Sequence, residues 1–166
     1  MRTVPLRSSV LIVFGVVLSV ANCARSPNPQ TAAAPTADRQ VVNPPGIAPL
    51  VPAYSVAIRA GELVFVSGMT GVKPGSQDII DGGTAAQTRQ TLENIRTSLR
   101  AAGATMADVA ECTVFLVDMA GYAAMNGVYI EFFRVDPPAR ATLAVTALPR
   151  PAARVEIKCS AQIRRR

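Results

Sequence analysis

"AAQTRQTLENIRTSLRAAGATMADVAECTVFLVD", residues 85–118, carries two periodicities in one stretch. Ala85, Thr88, Leu92, Ile95 and Leu99 recur at helical spacing, with Arg89, Glu93, Arg96 and Arg100 elsewhere around the barrel. The pattern predicts a helix over about Thr84–Ala102, with Thr84 as its N-cap and Gly103 as its C-terminal stop. "ATMADVAE" reads as a connector, and "CTVFLVD" as a strong buried strand.

Upstream, "AYSVAIRAG" (53–61) alternates, with Tyr54, Val56 and Ile58 on one face, and "GELVFVSG" (61–68) gives a strand over about Leu63–Ser67. Ala60-Gly61-Glu62 between them fits a hairpin turn, and "KPGSQDIIDGG" (73–83) is loop chemistry. Downstream, "GYAAMNGVYIEFF" (121–133) forms a second helix. Its stripe of Tyr122, Met125, Tyr129 and Phe132 reads as plain core packing. "ATLAVTAL" (141–148) and "RVEIKCSAQI" (154–163) are the last two strands. The order ββ(β)αβαββ implies an α+β fold, a five- to six-stranded sheet with two helices on one face. The uncovered face is expected to bury itself by self-association.

The chain has 166 residues, enough for one ordinary domain with tails. It has no histidine, and Cys23, Cys112 and Cys159 are too scattered for a zinc motif, so no catalytic metal is expected. The net charge of +6 is a property of the ends. Ten Lys and Arg balance ten Asp and Glu between Asn43 and Ile163, so no nucleic-acid partner is expected. The closing Arg164-Arg165-Arg166 (164–166) reads as a solvated basic tail.

"MRTVPLRSSVLIVFGVVLSVANC" (1–23) has two arginines, then an apolar run from Val10 to Ala21. That run is short of the ~20 residues that span a bilayer and suits a signal peptide. Val20-Ala21-Asn22-Cys23 resembles a bacterial lipobox, with Cys23 the residue to be lipidated, although a small residue is usual where Asn22 stands. The expected location is therefore outside the cytoplasm, periplasmic or anchored to a membrane through Cys23. Residues 24–43, rich in Pro and Ala, read as a disordered tether, and the domain is expected over 44–163.

Arg140 stands at the mouth of an apolar strand in "DPPARATLAV" (136–145), as either a solvated end-of-strand charge or an anion holder. Glu156 alternates with Val155, Ile157 and Cys159, so its carboxylate must be solvated or paired.

"YSVAIRAGELVFVSG", "AAQTRQTLENIRTSLRAAGATMADVAECTVFLVDM", "NGVYIEFF", "PPARATLAV" and "ALPRPAARVEIKCSA" occur in this order at compact spacing. Together they resemble the RidA (YjgF-like) family of reactive-intermediate deaminases over about Tyr54–Ile163. The resemblance implies a chorismate-mutase-like fold, a homotrimer, and clefts between subunits that hydrolyse 2-enamine/2-imine acids such as 2-aminoacrylate to 2-keto acid and ammonia, without metal or organic cofactor. It implies that Arg140 grips the substrate carboxylate, a task suited to a bidentate guanidinium. It likewise implies that Glu156 positions or activates the attacking water. Tyr54, Ser67, Gly68, Asn126 and, through its backbone, Thr142 are implied to line the cleft. The alternative is an exported, non-enzymatic relative that binds a small carboxylate or keto acid at the same cleft. RNA cleavage, an activity of some relatives, is disfavoured by the neutral core.

Three departures from the family pattern stand out. Thr142 replaces a common cysteine or valine, and Met69-Thr70-Gly71 replaces a polar residue, an apolar residue and proline. Lys158 replaces a second glutamate, and two residues from Glu156 on one strand face it is expected to pair with it. Cys112 and Cys159 fall on different strands and could pair only if those strands are neighbours, with Cα atoms within about 7 Å.

Overall fold

The structure is a computed structural model and describes residues 38–164. The segments read as signal peptide and lipidation site, with Cys23, lie outside the described residues. Six strands form one mixed sheet: β1 (Arg39–Val42), β2 (Ala57–Ala60), β3 (Leu63–Thr70), β4 (Val109–Leu116), β5 (Ala139–Ala144) and β6 (Val155–Gln162). Their order is β1-β2-β3-β6-β4-β5, antiparallel except for the parallel β4–β5 pair. Two helices, α1 (Gly83–Ala101) and α2 (Tyr122–Phe132), pack together and cover one face.

Helix α1 forms where the periodicity places it, burying Thr88, Leu92, Ile95 and Leu99. Its C-terminus follows expectation: Gly103 adopts φ 83, its N–H reaches the Arg100 carbonyl, and the Ala104 N–H reaches that of Leu99. Its N-terminus does not. The N-cap is Gly82, not Thr84, with no side-chain cap. Gly82 (φ 100) and Gly83 (φ 73) both lie in the left-handed region, so the backbone of the glycine pair turns the chain into the helix.

The sheet begins earlier than the sequence implies. Arg39–Val42, within the stretch read as tether, pairs with β2 from Arg39↔Ala60 to Val42↔Ala57. Only Val42 of the four is buried, so the strand rests mainly on its ladder and not on an apolar pattern. Along β6, Val155, Ile157, Cys159 and Ala161 enter the core, which leaves Glu156, Lys158 and Ser160 on the helix-free face. Leu63 and Phe65 of β3 and Leu143 of β5 stay exposed, each about 46% accessible.

Candidate active site

Glu156 lies in a cavity of about 380 Å³ at the end of the sheet, together with Tyr54, Ser67 and Gly68. Two buried amides of α1 tie down the chain nearby: Asn94 in the cavity wall itself, and Gln87 behind it. Gln87 Nε2 donates to the carbonyls of Ile80 (3.3 Å) and Ala152 (3.1 Å), while its Oε1 accepts from the Arg154 N–H (2.7 Å). Asn94 Nδ2 donates to the carbonyls of Thr70 (3.1 Å) and Val72 (3.0 Å). The loops on either side of Glu156 are thus bound to one helix. Gly71 fits here for a steric reason: a Cβ on it would lie 3.0 Å from Gln87 Cα.

Gly68 has a sharper requirement. A Cβ there would stand 2.1 Å from Glu156 Oε1, so the carboxylate lies directly on the bare backbone of residue 68. Among the described residues no hydrogen bond or ion pair engages that carboxylate, and burial raises its pKa above the ordinary glutamate value. The anticipated Lys158–Glu156 pair does not form. Lys158 shares the strand face but is exposed, opposite Thr113 in register, and makes no ion pair among the described residues. Ser67 Oγ donates to the Ser55 carbonyl at 2.7 Å, so its lone pairs remain for the cavity. Tyr54 lies outside β2, exposed, its hydroxyl accepting from the Leu50 N–H at 2.8 Å.

Gly68→Ala is expected to leave the fold intact, because the displaced atoms are the far end of a flexible side chain. It is expected to move the carboxylate and to lower any turnover that uses it roughly 10- to 100-fold. Steady-state rates set beside a thermal melt check this.

Arg140 lies elsewhere. It pairs in register with Cys112, whose side chain is buried on the helix side, and it points at α2. Nη1 donates to Asn126 Oδ1 (2.9 Å) and Nη2 to the Tyr122 hydroxyl (3.2 Å). The guanidinium lies over the Tyr129 ring at 4.6 Å and near the Tyr122 ring at 5.8 Å. Five N–H donors with two neutral partners and no carboxylate leave the charge available to an anion. The Tyr129 hydroxyl is buried without a partner, its pKa pushed up to about 12 by burial, with Arg140 opposing. Thr142 Oγ1, two residues along β5, is also buried without a partner. The aromatic stripe read as core packing therefore has a second duty. Met125 and Tyr129 are buried, yet Tyr122 and Tyr129 also cradle Arg140. Helical spacing alone looks the same for both roles.

In one chain, then, the arginine faces the helix side of the sheet and Glu156 the other side. The sequence-derived site splits into two halves: Arg140, Asn126 and Thr142 in one, Tyr54, Ser67, Gly68 and Glu156 in the other. Among the described residues no group of three His, Cys, Asp or Glu side chains converges to hold a metal.

A sequence profile for the Endoribonuclease L-PSP family, which comprises the YjgF/RidA proteins, matches residues 47–163. The chain belongs to the RidA family. It is 43% identical over 99 residues to a RutC family protein of Sulfurisphaera tokodaii, covering 60% of this chain and 79% of that one. It is 34% identical over 123 residues to a protein of Rattus norvegicus named 2-iminobutanoate/2-iminopropanoate deaminase, covering 74% of this chain and 89% of that one. The crystal structure of RidA from an Antarctic Psychrobacter superposes with TM-score 0.70 at 33% identity, over 75% of this chain and 99% of that one. The RidA-like sheet with two helices is the fold expected from the sequence. Membership of RidA supports an imine-deaminase role at the level of the family.

Proposed function

We propose that the protein hydrolyses reactive 2-enamine/2-imine acids, such as 2-aminoacrylate and 2-iminopropanoate, to 2-keto acids and ammonia at a site completed by two copies of the chain. The observation that carries this reading is Glu156: a partnerless carboxylate lining a cavity, seated on the bare backbone of Gly68, with its pKa raised above the ordinary glutamate value by burial. Arg140 of a neighbouring copy supplies the carboxylate clamp, held in place by Asn126 and the two tyrosines. The two halves face opposite sides of one sheet, and the exposed Leu63, Phe65 and Leu143 give the helix-free face reason to associate. A homotrimer is the assembly this reading adopts.

In the mechanism, Arg140 fixes the substrate carboxylate and with it the C2 carbon. Ser67 Oγ, its proton already committed to Ser55, accepts an N–H of the iminium. Glu156 takes a proton from water as the oxygen attacks C2. Glu156 passes that proton to nitrogen, then takes the hydroxyl proton as C=O forms and the C–N bond breaks, so that ammonia and the 2-keto acid leave. Imine hydrolysis is intrinsically easy, so orientation and proton management suffice. The direct test follows the decay of 2-aminoacrylate generated in situ, with Arg140→Ala as control. Decay no faster than in buffer would refute the proposal.

The pH profile should show Glu156. Rates are expected to fall as pH drops through a value above the ordinary glutamate range, because the raised pKa protonates the base early. The Glu156→Gln variant should lose that acid limb. An unchanged limb in the variant would assign it to another group.

The same reading places the protein outside the cytoplasm, with 1–23 as signal and Cys23 as anchor. It draws support from the Cys112–Cys159 disulfide, since such bonds persist in oxidising compartments.

A further inference from the structure

The cavity that holds Glu156 also holds a cation that the mechanism leaves unused. Arg150, in the β5–β6 loop, lines it on the side of Pro149 and is half-buried. Among the described residues its guanidinium has one hydrogen-bond partner, Gln77. Nη1 donates to the Gln77 carbonyl at 2.7 Å, and Nη2 donates to Oε1 of the same residue. Among the described residues no carboxylate forms an ion pair with it. A guanidinium partly removed from water without a counter-ion is an unfavourable arrangement unless an anion arrives. The two-point grip of Gln77 fixes the plane of the fork and leaves donors free, so little ordering remains to be done on binding. Lys73 lines the same cavity and likewise forms no ion pair among the described residues. The cavity therefore holds two cations against the single carboxylate of Glu156.

Size points the same way. A three- or four-carbon imino acid gripped at its carboxylate by Arg140 fills only a small part of 380 Å³, a volume in the range that encloses much larger ligands. Leu50, Val51 and Met69 give the remaining space an apolar wall fit for methylenes.

We propose that the cavity selects 2-imino acids, and their 2-keto products, that carry a second carboxylate at the end of a short methylene chain, and that Arg150 reads this second carboxylate. The proposal rests on the deaminase reading for its chemistry: water adds to C2, the C–N bond breaks, and a dicarboxylic 2-keto acid and ammonia leave. Arg150 is a specificity residue and takes no part in that step.

The test measures binding, so it stands apart from turnover. Calorimetric titration of the full chain with 2-oxoglutarate and with 2-oxobutanoate is expected to show the dicarboxylate at least about tenfold tighter. In Arg150→Ala the ratio is expected to fall toward one, and Arg150→Lys, which keeps the charge and loses the fork, should restore part of it. Melting curves establish that both variants are folded. A wild-type preference for the monocarboxylate, or a ratio unchanged in either variant, would overturn the inference. Parallel rates with imines made in situ from alanine and glutamate separate the two readings. Imine hydrolysis without a dicarboxylate preference sinks only the specificity proposal. Arg150-dependent dicarboxylate binding without any accelerated hydrolysis supports it and sinks only the deaminase reading.

Discussion

Arg140→Ala and Glu156→Gln are each expected to lower kcat/KM on 2-iminopropanoate by roughly a hundredfold or more, and a refolded mixture of the two to recover activity. The recovery follows from topology. Arg140 points to the helix side of β5, and Glu156 alternates with the buried Val155 and Ile157 to face the other side of β6. One chain cannot present both to a three-carbon acid. If two copies complete each site, a subunit lacking Glu156 still offers Arg140, and a subunit lacking Arg140 still offers Glu156. Random assembly of equal amounts places both intact halves in about a quarter of the sites, so about a quarter of the wild-type rate should return. A mixture no more active than its components would show that the halves do not meet between copies.

The expected losses have separate origins. Without Arg140 the substrate has no orienting grip, and the loss should appear mainly in KM at low substrate. Without the Glu156 carboxylate the proton has no acceptor, and the loss should fall on kcat. Asn126 stands between these cases. Its Oδ1 accepts from Arg140 and so acts through the arginine.

What the sequence revealed and what it hid divide along the range of the interactions involved. Helix α1 was legible because the residues that bury it are one turn apart in the chain. Glu156 was legible for a similar reason, since alternation with Val155 and Ile157 is a local signal of its face. Strand β1 was not, because "RQVV" buries one residue and gains its order from a ladder to β2 that starts fifteen residues further on. The cradle was hidden for a different reason. Tyr122 and Tyr129 obey the period of a core stripe, and only the parallel pairing of β5 beside β4 brings Arg140 across to them. Arg150 sits between two prolines and looks like a loop charge until Gln77, far away in sequence, is seen to hold it. The split of the site is the most distant property of all, since it concerns which side of a sheet each strand presents.

The largest expected effect on stability concerns the bond between Cys112 and Cys159. The residues face each other in the β4–β6 register, with Cα atoms 4.1 Å apart and both side chains buried. They lie 47 residues apart, and a cross-link closing a loop of that size removes enough unfolded-chain entropy to contribute about 4 kcal/mol. Refolded in a glutathione buffer, the protein should show no alkylatable thiol at these two positions until it is unfolded in reductant. Reduction should lower Tm by roughly 10–20 °C, and Cys112→Ala/Cys159→Ala should melt near the reduced protein and ignore reductant. Two freely alkylated thiols in the oxidised protein, or equal melting with and without reductant, would count against the bond. The consequence reaches the site. Cys112 neighbours Arg140 across β4–β5, and Cys159 stands three residues from Glu156 on β6. The cross-link thus ties the strand beside Arg140 to the strand that carries Glu156. Reduced protein below its own Tm should keep its fold and lose part of its rate, because each half-site then depends on packing and on the strand ladders without the covalent tie.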